Sequence, residues 1–165
     1  MIARISVCDY RGNLIVDTFV RPTQAVVDYR SAVTGLQPHH LWTAPLFADV
    51  QKKVATVFRG RILVGHSLWQ HLSLIGIRHP ALDTRDLSLF LPFRRSLCGY
   101  SVVPLRQLVY HLMRRKIGFG YEHPLEEARA ALDLFRSYEE HWEDIIRAGG
   151  WPCSLPPSAF IEWFQ

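Results

Sequence analysis

The order of elements along the chain limits the fold more than any other feature of the sequence. Residues 2–8 and 14–20 read as short strands around a turn-rich stretch at 9–13, which predicts a β-hairpin. Helices then alternate with further strands, with helical patterns at 47–58, 68–75, 101–116 and 124–148 and strands at 61–66 and 81–87. This alternation is typical of an α/β layered domain in which helices flank a mixed sheet.

The length of the chain predicts one domain followed by a tail. With 165 residues, 48% of them hydrophobic, the chain is large enough to bury one core. The domain is predicted at 1–148, and residues 22–36 are expected to form a loop with a short helical turn. Gly149 and Gly150 end the last helix. The proline-broken, aromatic tail at 149–165 is expected to dock on the domain as a strap, because so many exposed aromatic rings would be a liability.

Composition narrows the class of protein. No apolar run approaches the roughly 20 residues of a membrane span, and the first residues lack the layout of a signal peptide, so we expect an intracellular protein. The three cysteines, Cys8, Cys98 and Cys153, form no CxxC pair, which is typical of free thiols in a reducing compartment. The net charge of +4 permits an anionic partner such as nucleic acid without requiring one.

Several stretches of the sequence together resemble one family. They are "ARISVCDYRGNLIVDTFVRPTQAVVDYRSAVTGL" (3–36), "RGRILVGHSLWQHL" (59–72), "HPALDTRDL" (79–87) and "HPLEEARAALDLFR" (123–136). In this order and spacing they resemble the Rex-type and interferon-stimulated 3′–5′ RNA exonucleases, which belong to the DEDDh branch of the ribonuclease-H-like superfamily. The resemblance covers roughly residues 3–147 and implies a ribonuclease-H-like mixed sheet flanked by helices.

The resemblance also implies metal-dependent hydrolysis of a phosphodiester. Such enzymes use two divalent cations about 4 Å apart, one activating water and one stabilising the leaving oxygen. Hard cations such as Mg²⁺ require several carboxylates from different elements. In the family these are an Asp-x-Glu pair on the first strand, an Asp on the helix after the Gly-His strand, and an Asp on the last long helix. A histidine shortly before the last Asp is the general base.

The chain departs from this pattern at most of those positions. The Asp-x-Glu strand would precede "ARISV", where the chain begins at Met1, and the family's "LHNDL" is "LWQHL" here, with His71 at the carboxylate position. Glu127 matches the last Asp and is the one remaining carboxylate for a metal. His123, the match to the base, lies four residues before Glu127, where the family spacing is five. One carboxylate of four predicts a degenerate site without a cofactor, or with Mg²⁺ or Mn²⁺ if the site is active.

The histidines of "GHSLWQHL" are not expected to form a metal site. A helix turns about 500° over five residues, which places His66 and His71 roughly 140° apart, whereas a two-histidine metal face uses a spacing of four. His66, at the end of a strand, is expected to make a structural hydrogen bond, and Asp86 to order a loop. Trp69 is a candidate for stacking on a base, although a tryptophan at a helix start is more often part of the packing.

Short basic runs give a candidate nucleic-acid surface. Its predicted members, together with Trp69, are Arg94, Arg95, Arg114, Arg115 and Lys116. Such a surface would bind single-stranded RNA or DNA through phosphate contacts. Basic residues at helix ends are equally explained by the helix dipole and by solubility, so both interpretations stay open.

The absent Asp-x-Glu strand raises a physical problem, because that strand is central in ribonuclease-H-like sheets. Without it, backbone groups beside "RILVG" are unpaired, and each costs on the order of 1–3 kcal/mol if buried. The chain is then shortened, or the tail segment at 158–164 fills the gap, or a partner protein or second copy donates a strand.

These observations leave three hypotheses for the function. The carboxylate count favours a degenerate, inactive exonuclease-like domain that binds nucleic acid or protein. The first alternative is an active metal-dependent 3′–5′ exoribonuclease completed by residues outside this chain, and the second is a structural interaction domain. The resemblance favours a nuclear location of the protein over a cytoplasmic one.

Overall fold

A computed structural model of the chain describes residues 1–97 and 102–164. Its strands are β1 (Arg4–Cys8), β2 (Leu14–Phe19), β3 (Leu63–Gly65) and β4 (Thr84–Asp86). Its α-helices are α1 (Ser31–Thr34), α2 (Pro38–Trp42), α3 (Phe47–Phe58), α4 (Leu68–Ile75), α5 (Leu91–Leu97), α6 (Leu105–Met113) and α7 (Pro124–Arg147). Two 3-10 helices cover Ala81–Asp83 and Ser158–Trp163.

The strands form two separate two-stranded sheets. β1 pairs antiparallel with β2, with Arg4 opposite Phe19, and β3 pairs parallel with β4, with Gly65 opposite Asp86. Both parallel and antiparallel pairing are therefore present, as expected for a mixed α/β fold. The sequence predicts one continuous sheet, however, and among the described residues no strand joins β1 to β3.

The helix α7 connects the two sheets. It is 24 residues long, begins with Pro124 in its first turn and ends at Arg147. Pro124 suits this position because it has no backbone N–H to leave unpaired. The helix contacts both β1 and β3. Its buried side includes Ala130 and Ala131, whose small side chains allow a close approach. A two-stranded sheet is only marginally stable by itself, so the contact with α7 stabilises both sheets.

The largest core cluster joins α7 to the segment that follows β4. Trp142 and Phe90 are both fully buried, and their rings stack with centroids 4.0 Å apart and an interplanar angle of 3°. Phe93 meets Phe90 edge to face at 4.8 Å. Stacked and edge-on aromatic pairs add to the gain from burial alone.

The tail lies against this core. Cys153 forms an antiparallel bridge with Phe90, and Phe164 forms a parallel bridge with His79. The segment Ser158–Trp163 is a 3-10 helix that contacts α4. The hypothesis that residues 158–164 fill the gap in the sheet is therefore wrong, because a 3-10 helix offers no strand edge to β1 or β3.

The hairpin and the helices at Phe47–Phe58 and Leu68–Ile75 lie where the sequence predicts them. The strand expected at 81–87 is shortened because Ala81–Asp83 form a 3-10 turn. The helix expected at 101–116 is confined to Leu105–Met113, because Arg114 takes a left-handed backbone conformation with φ of 54°. The sequence analysis missed α2 and α5, which have five and seven residues and are too short for a clear helical period.

Cys8 and Cys153 are free thiols, as expected, whereas Cys98 lies outside the described residues. Within the described ranges, no helix is both long enough and apolar enough to cross a membrane.

Replacement of Trp142 tests the aromatic core. Trp142→Ala is expected to lower the free energy of unfolding by about 3–5 kcal/mol, because it leaves a cavity beside Phe90. Trp142→Phe is expected to cost much less, since the ring stack is retained and the indole N–H, which is buried without a partner among the described residues, is removed. Urea unfolding of both variants measures the difference. Equal losses would contradict the ring-stacking account.

Candidate active site at the start of the longest helix

A buried carboxylate holds the turn between β3 and α4. Asp86, at the end of β4, accepts hydrogen bonds from the backbone N–H groups of Ser67 and Leu68 at 2.9 and 2.7 Å. It also accepts bonds from the N–H and hydroxyl of Ser88 at 2.9 and 2.7 Å. These bonds satisfy donors at the start of α4 that the helix leaves free, so Asp86 orders the loop as the sequence predicts. Burial raises the pKa of Asp86.

His66 has a structural hydrogen-bonding role, as the sequence predicts. Its Nε2 lies 2.8 Å from the carbonyl oxygen of Val103. Because a carbonyl oxygen only accepts, Nε2 carries the proton and donates it to this bond. The Nδ1 atom lies 3.3 Å from the Ser67 hydroxyl, which donates to it.

His71 is an imidazole where the resemblance implies a metal-binding carboxylate. The side chain reaches solvent, yet protein atoms surround it closely, and the resulting loss of hydration lowers its pKa. The Asp86 carboxylate opposes this effect only in part. The lowered pKa makes the ring neutral at pH 7, so it brings no negative charge to the site.

Glu122 and Glu127, the carboxylate pair at the start of α7, interact electrostatically, and Glu126 adds a third negative charge. Glu127 is half-buried, and burial, followed by the negative charge of Glu122, raises its pKa, whereas Arg106 lowers it. Arg106 Nη2 donates to Glu122 Oε1 at 3.2 Å. The backbone N–H of Glu122 donates to the Val33 carbonyl at 2.8 Å, which fixes the chain just before the helix.

The sequence analysis did not single out Glu122. It lies five residues before Glu127, at the spacing that the resemblance gives to the general base, whereas His123 lies four residues before. The spacing of five residues is therefore the signal in the sequence that points to Glu122.

His123 borders a cleft of about 430 Å³ whose lining residues do not include Glu122 or Glu127. The cleft is also lined by Arg115, Lys116 and Arg129, and by Glu126 and Asp133. Arg115 pairs with Asp133 at 2.8 Å, and Glu126 accepts the N–H of Gly118 at 3.0 Å. No carboxylate among the described residues forms an ion pair with Lys116 or Arg129, so the cleft keeps positive charge.

The other predicted nucleic-acid residues lie elsewhere. Trp69 packs on Phe160 of the tail with ring centroids 4.7 Å apart, and Arg94 donates to the Ser154 hydroxyl. Both side chains therefore hold the tail against the domain. Arg95 is exposed on α5, and Arg114 is the left-handed residue that ends α6. The structure gathers only Arg115 and Lys116 of this set, together with His123.

The described residues contain no group of three or more His, Cys, Asp or Glu side chains arranged to hold a metal ion. Glu127 and Glu122 have the oxygen chemistry that Mg²⁺ or Mn²⁺ prefers, but such cations require more ligands than two carboxylates supply. The carboxylate pair thus fits part of a metal site.

Comparison with known proteins relates the chain to RNA exonucleases. A family model described as exonuclease, of the RNase T type, matches residues 1–73. RNA exonuclease 4 of Kluyveromyces lactis is 37% identical over 144 residues, which are 87% of this chain and 49% of that protein. RNA exonuclease 4 of Saccharomyces cerevisiae is 36% identical over 146 residues, 88% of this chain and 50% of that protein. The chain thus spans about half the length of these relatives.

Solved structures give the same result for the fold. The catalytic unit of Neurospora crassa Pan2, with its protease and nuclease domain, matches with a TM-score of 0.75 and 25% identity over 88% of this chain and 26% of that one. The Saccharomyces cerevisiae Pan2 pseudoubiquitin hydrolase-RNA exonuclease module in complex with AAUUAA RNA matches with a TM-score of 0.71 and 28% identity, over 89% of this chain and 26% of that one.

The hypothesis of a degenerate, inactive domain is wrong, because the relatives that match 87% and 88% of this chain are RNA exonucleases. The hypothesis rested on the number of carboxylates within this chain alone, whereas the relatives are about twice as long.

The raised pKa of Glu127 gives a testable dependence of stability on pH. Because burial and Glu122 disfavour the ionised form in the folded state, Glu127→Gln is expected to increase the free energy of unfolding at pH 7. The gain should shrink as the pH falls through the raised pKa, since the wild-type carboxyl then takes up a proton and loses its charge.

Urea unfolding between pH 4 and 8 measures this effect, with Glu140→Gln on the exposed side of α7 as the matched control. The control is expected to change little across the range. A Glu127→Gln protein less stable than wild type at pH 7 would contradict the electrostatic account.

Proposed function

We propose that this chain is a member of the RNase T-type exonuclease family of DEDDh enzymes and the catalytic unit of a metal-dependent 3′–5′ exoribonuclease. The observation that carries the proposal is the carboxylate pair at the start of α7. Glu127 is half-buried next to Glu122, and both burial and Glu122 oppose its ionisation. A divalent cation would relieve this repulsion, and groups held in such an unfavourable state are typical of functional sites.

We propose that residues outside this chain supply the other metal ligands. Among the described residues, β1 pairs only with β2 and β3 only with β4, and α7 contacts both β1 and β3. A strand paired to the open edges of β1 and β3 would lie against α7, the helix that carries Glu127. A partner that donates such a strand stays a prediction, as does the nuclear location.

The bound metal ions would supply activated water and stabilise the leaving oxygen. Glu127 is the residue of this chain that we assign to metal binding. Glu122 is assigned as the proton acceptor, because it has the spacing of the base. Arg106 bonds to Glu122 Oε1, which orients the carboxylate and leaves Oε2 to take the proton. His123 borders the basic cleft instead.

The basic cleft is the proposed contact for the RNA backbone. Lys116 and Arg129 line it with no ion-pair partner among the described residues, and His123 and Arg115 extend it. Positive side chains in a cleft attract the phosphates of a single strand without regard to sequence.

The assignment of Glu127 is tested with 5′-labelled single-stranded RNA and the protein expressed from its complete gene. We expect shortening by one nucleotide at a time from the 3′ end, dependent on Mg²⁺ or Mn²⁺. Glu127→Gln should lower the rate about 100-fold or more, because it removes a charged metal ligand, while Glu140→Gln should retain it. Intact RNA in both metals would overturn the proposed function.

The assignment of the base is tested in the same assay. Glu122→Gln is expected to reduce kcat by a factor of about 10² to 10⁴, the usual contribution of a general base. His123→Gln is expected to change kcat only a few-fold and to act mainly on KM. The reverse pattern would return the role of base to His123.

A further inference from the structure

We propose that a groove between the end of β2 and α2 stacks one base of single-stranded RNA on Trp42. The groove has a volume of about 380 Å³, within the usual range of small-ligand sites. Its lining residues are Arg21, Pro22, Gln24, Ala25, Val26, Tyr29, Leu41 and Trp42. This inference rests on the proposed function, because it names a further contact with the same substrate.

Trp42 presents a rigid aromatic ring to solvent. The side chain is 71% exposed, whereas its neighbour Leu41 is only 2% exposed and anchors α2 in the core. The start of α2 is fixed by Pro38 and by reciprocal hydrogen bonds between Gln37 and His40. An exposed indole on a fixed helix loses little entropy when a flat ligand stacks on it, and every nucleobase has such a face.

Arg21 gives the groove the charge that RNA requires. Its Nε donates to the Ala44 carbonyl at 3.1 Å, and its backbone N–H donates to the Pro45 carbonyl at 2.8 Å. The first bond holds the guanidinium and the second fixes the backbone, and no carboxylate of the described residues pairs with the guanidinium. A fixed, unpaired cation beside an exposed aromatic ring matches a nucleotide, with the base on Trp42 and its phosphate at Arg21.

A short segment links the groove to the carboxylate pair. Tyr29 lines the groove, and its carbonyl accepts the Thr34 hydroxyl at 2.8 Å. The adjacent Val33 carbonyl accepts the N–H of Glu122 at 2.8 Å. One loop of a few residues thus touches the groove at one end and the proposed proton acceptor at the other. A single strand with its 3′ end at Glu127 is the proposed occupant of the groove.

The test is RNA binding by the protein expressed from its complete gene, with fluorescein-labelled oligoadenylate and no divalent metal. Trp42→Ala is expected to weaken binding at least five-fold, which corresponds to the lower value of about 1 kcal/mol for one stacked base. Trp42→Phe should restore most of the affinity, because phenylalanine keeps an aromatic face. Trp151→Ala, at a tryptophan 37% exposed after α7, is the matched control and should bind as wild type does.

A second measurement identifies the stacked nucleotide. RNAs that carry 2-aminopurine at single positions are expected to show quenched fluorescence at one position near the 3′ end, and Trp42→Ala should relieve the quenching there alone. This readout does not depend on catalysis.

The outcomes separate this inference from the proposed function. Wild-type affinity and quenching in Trp42→Ala, while the protein still binds and shortens RNA, would overturn the stacking site and leave the exonuclease in place. Absence of RNA binding and shortening by wild type would overturn both. A dimer in light scattering that Trp42→Ala dissociates, with RNA affinity unchanged, would assign the groove to self-association and overturn the proposal.

Discussion

The contact of α7 with both β1 and β3 is the constraint on which the rest of the structure depends. Neither two-stranded sheet is large enough to be stable alone, and each gains a covered face from the same helix. The alanines at 130 and 131 are buried in the core cluster of α7, and their small side chains let neighbouring segments approach the helix. The helix also reaches the aromatic core through Trp142, so the sheets, the core and the tail all depend on it.

The same helix organises the charges of the site. Its first turn carries Glu127 close to Glu122, while Arg106 at the start of α6 offsets part of the repulsion. Asp86 fixes the start of α4 by accepting its free N–H groups. Burial raises the pKa of both Asp86 and Glu127. The hydrogen bonds that Asp86 accepts offset part of this effect, whereas the negative charge of Glu122 adds to it at Glu127, and only the second situation favours a bound cation.

Much of the fold could be predicted from the sequence, because hydrophobic periodicity and end signals are local. Helices α3 and α4 and the hairpin follow from such patterns. The division of the sheet could not be predicted, since strand pairing depends on distant segments. The role of Trp69 could not be predicted either, because its contact with Phe160 joins residues that are far apart in the sequence. The exposure of Trp42 could not be predicted, since a helix of five residues is too short for a clear helical period.

The prediction of a degenerate site depends on the number of carboxylates at the positions that the resemblance implies. The pattern that the resemblance implies has a carboxylate on α4 and an imidazole five residues before the last acid. This chain has the neutral His71 and the carboxylate of Glu122 at those two positions. The neutral imidazole of His71 does not replace the carboxylate that the resemblance implies on α4. Because hard cations such as Mg²⁺ require several oxygen ligands, Glu127 alone is not sufficient, and the proposed function assigns the other ligands to residues outside this chain.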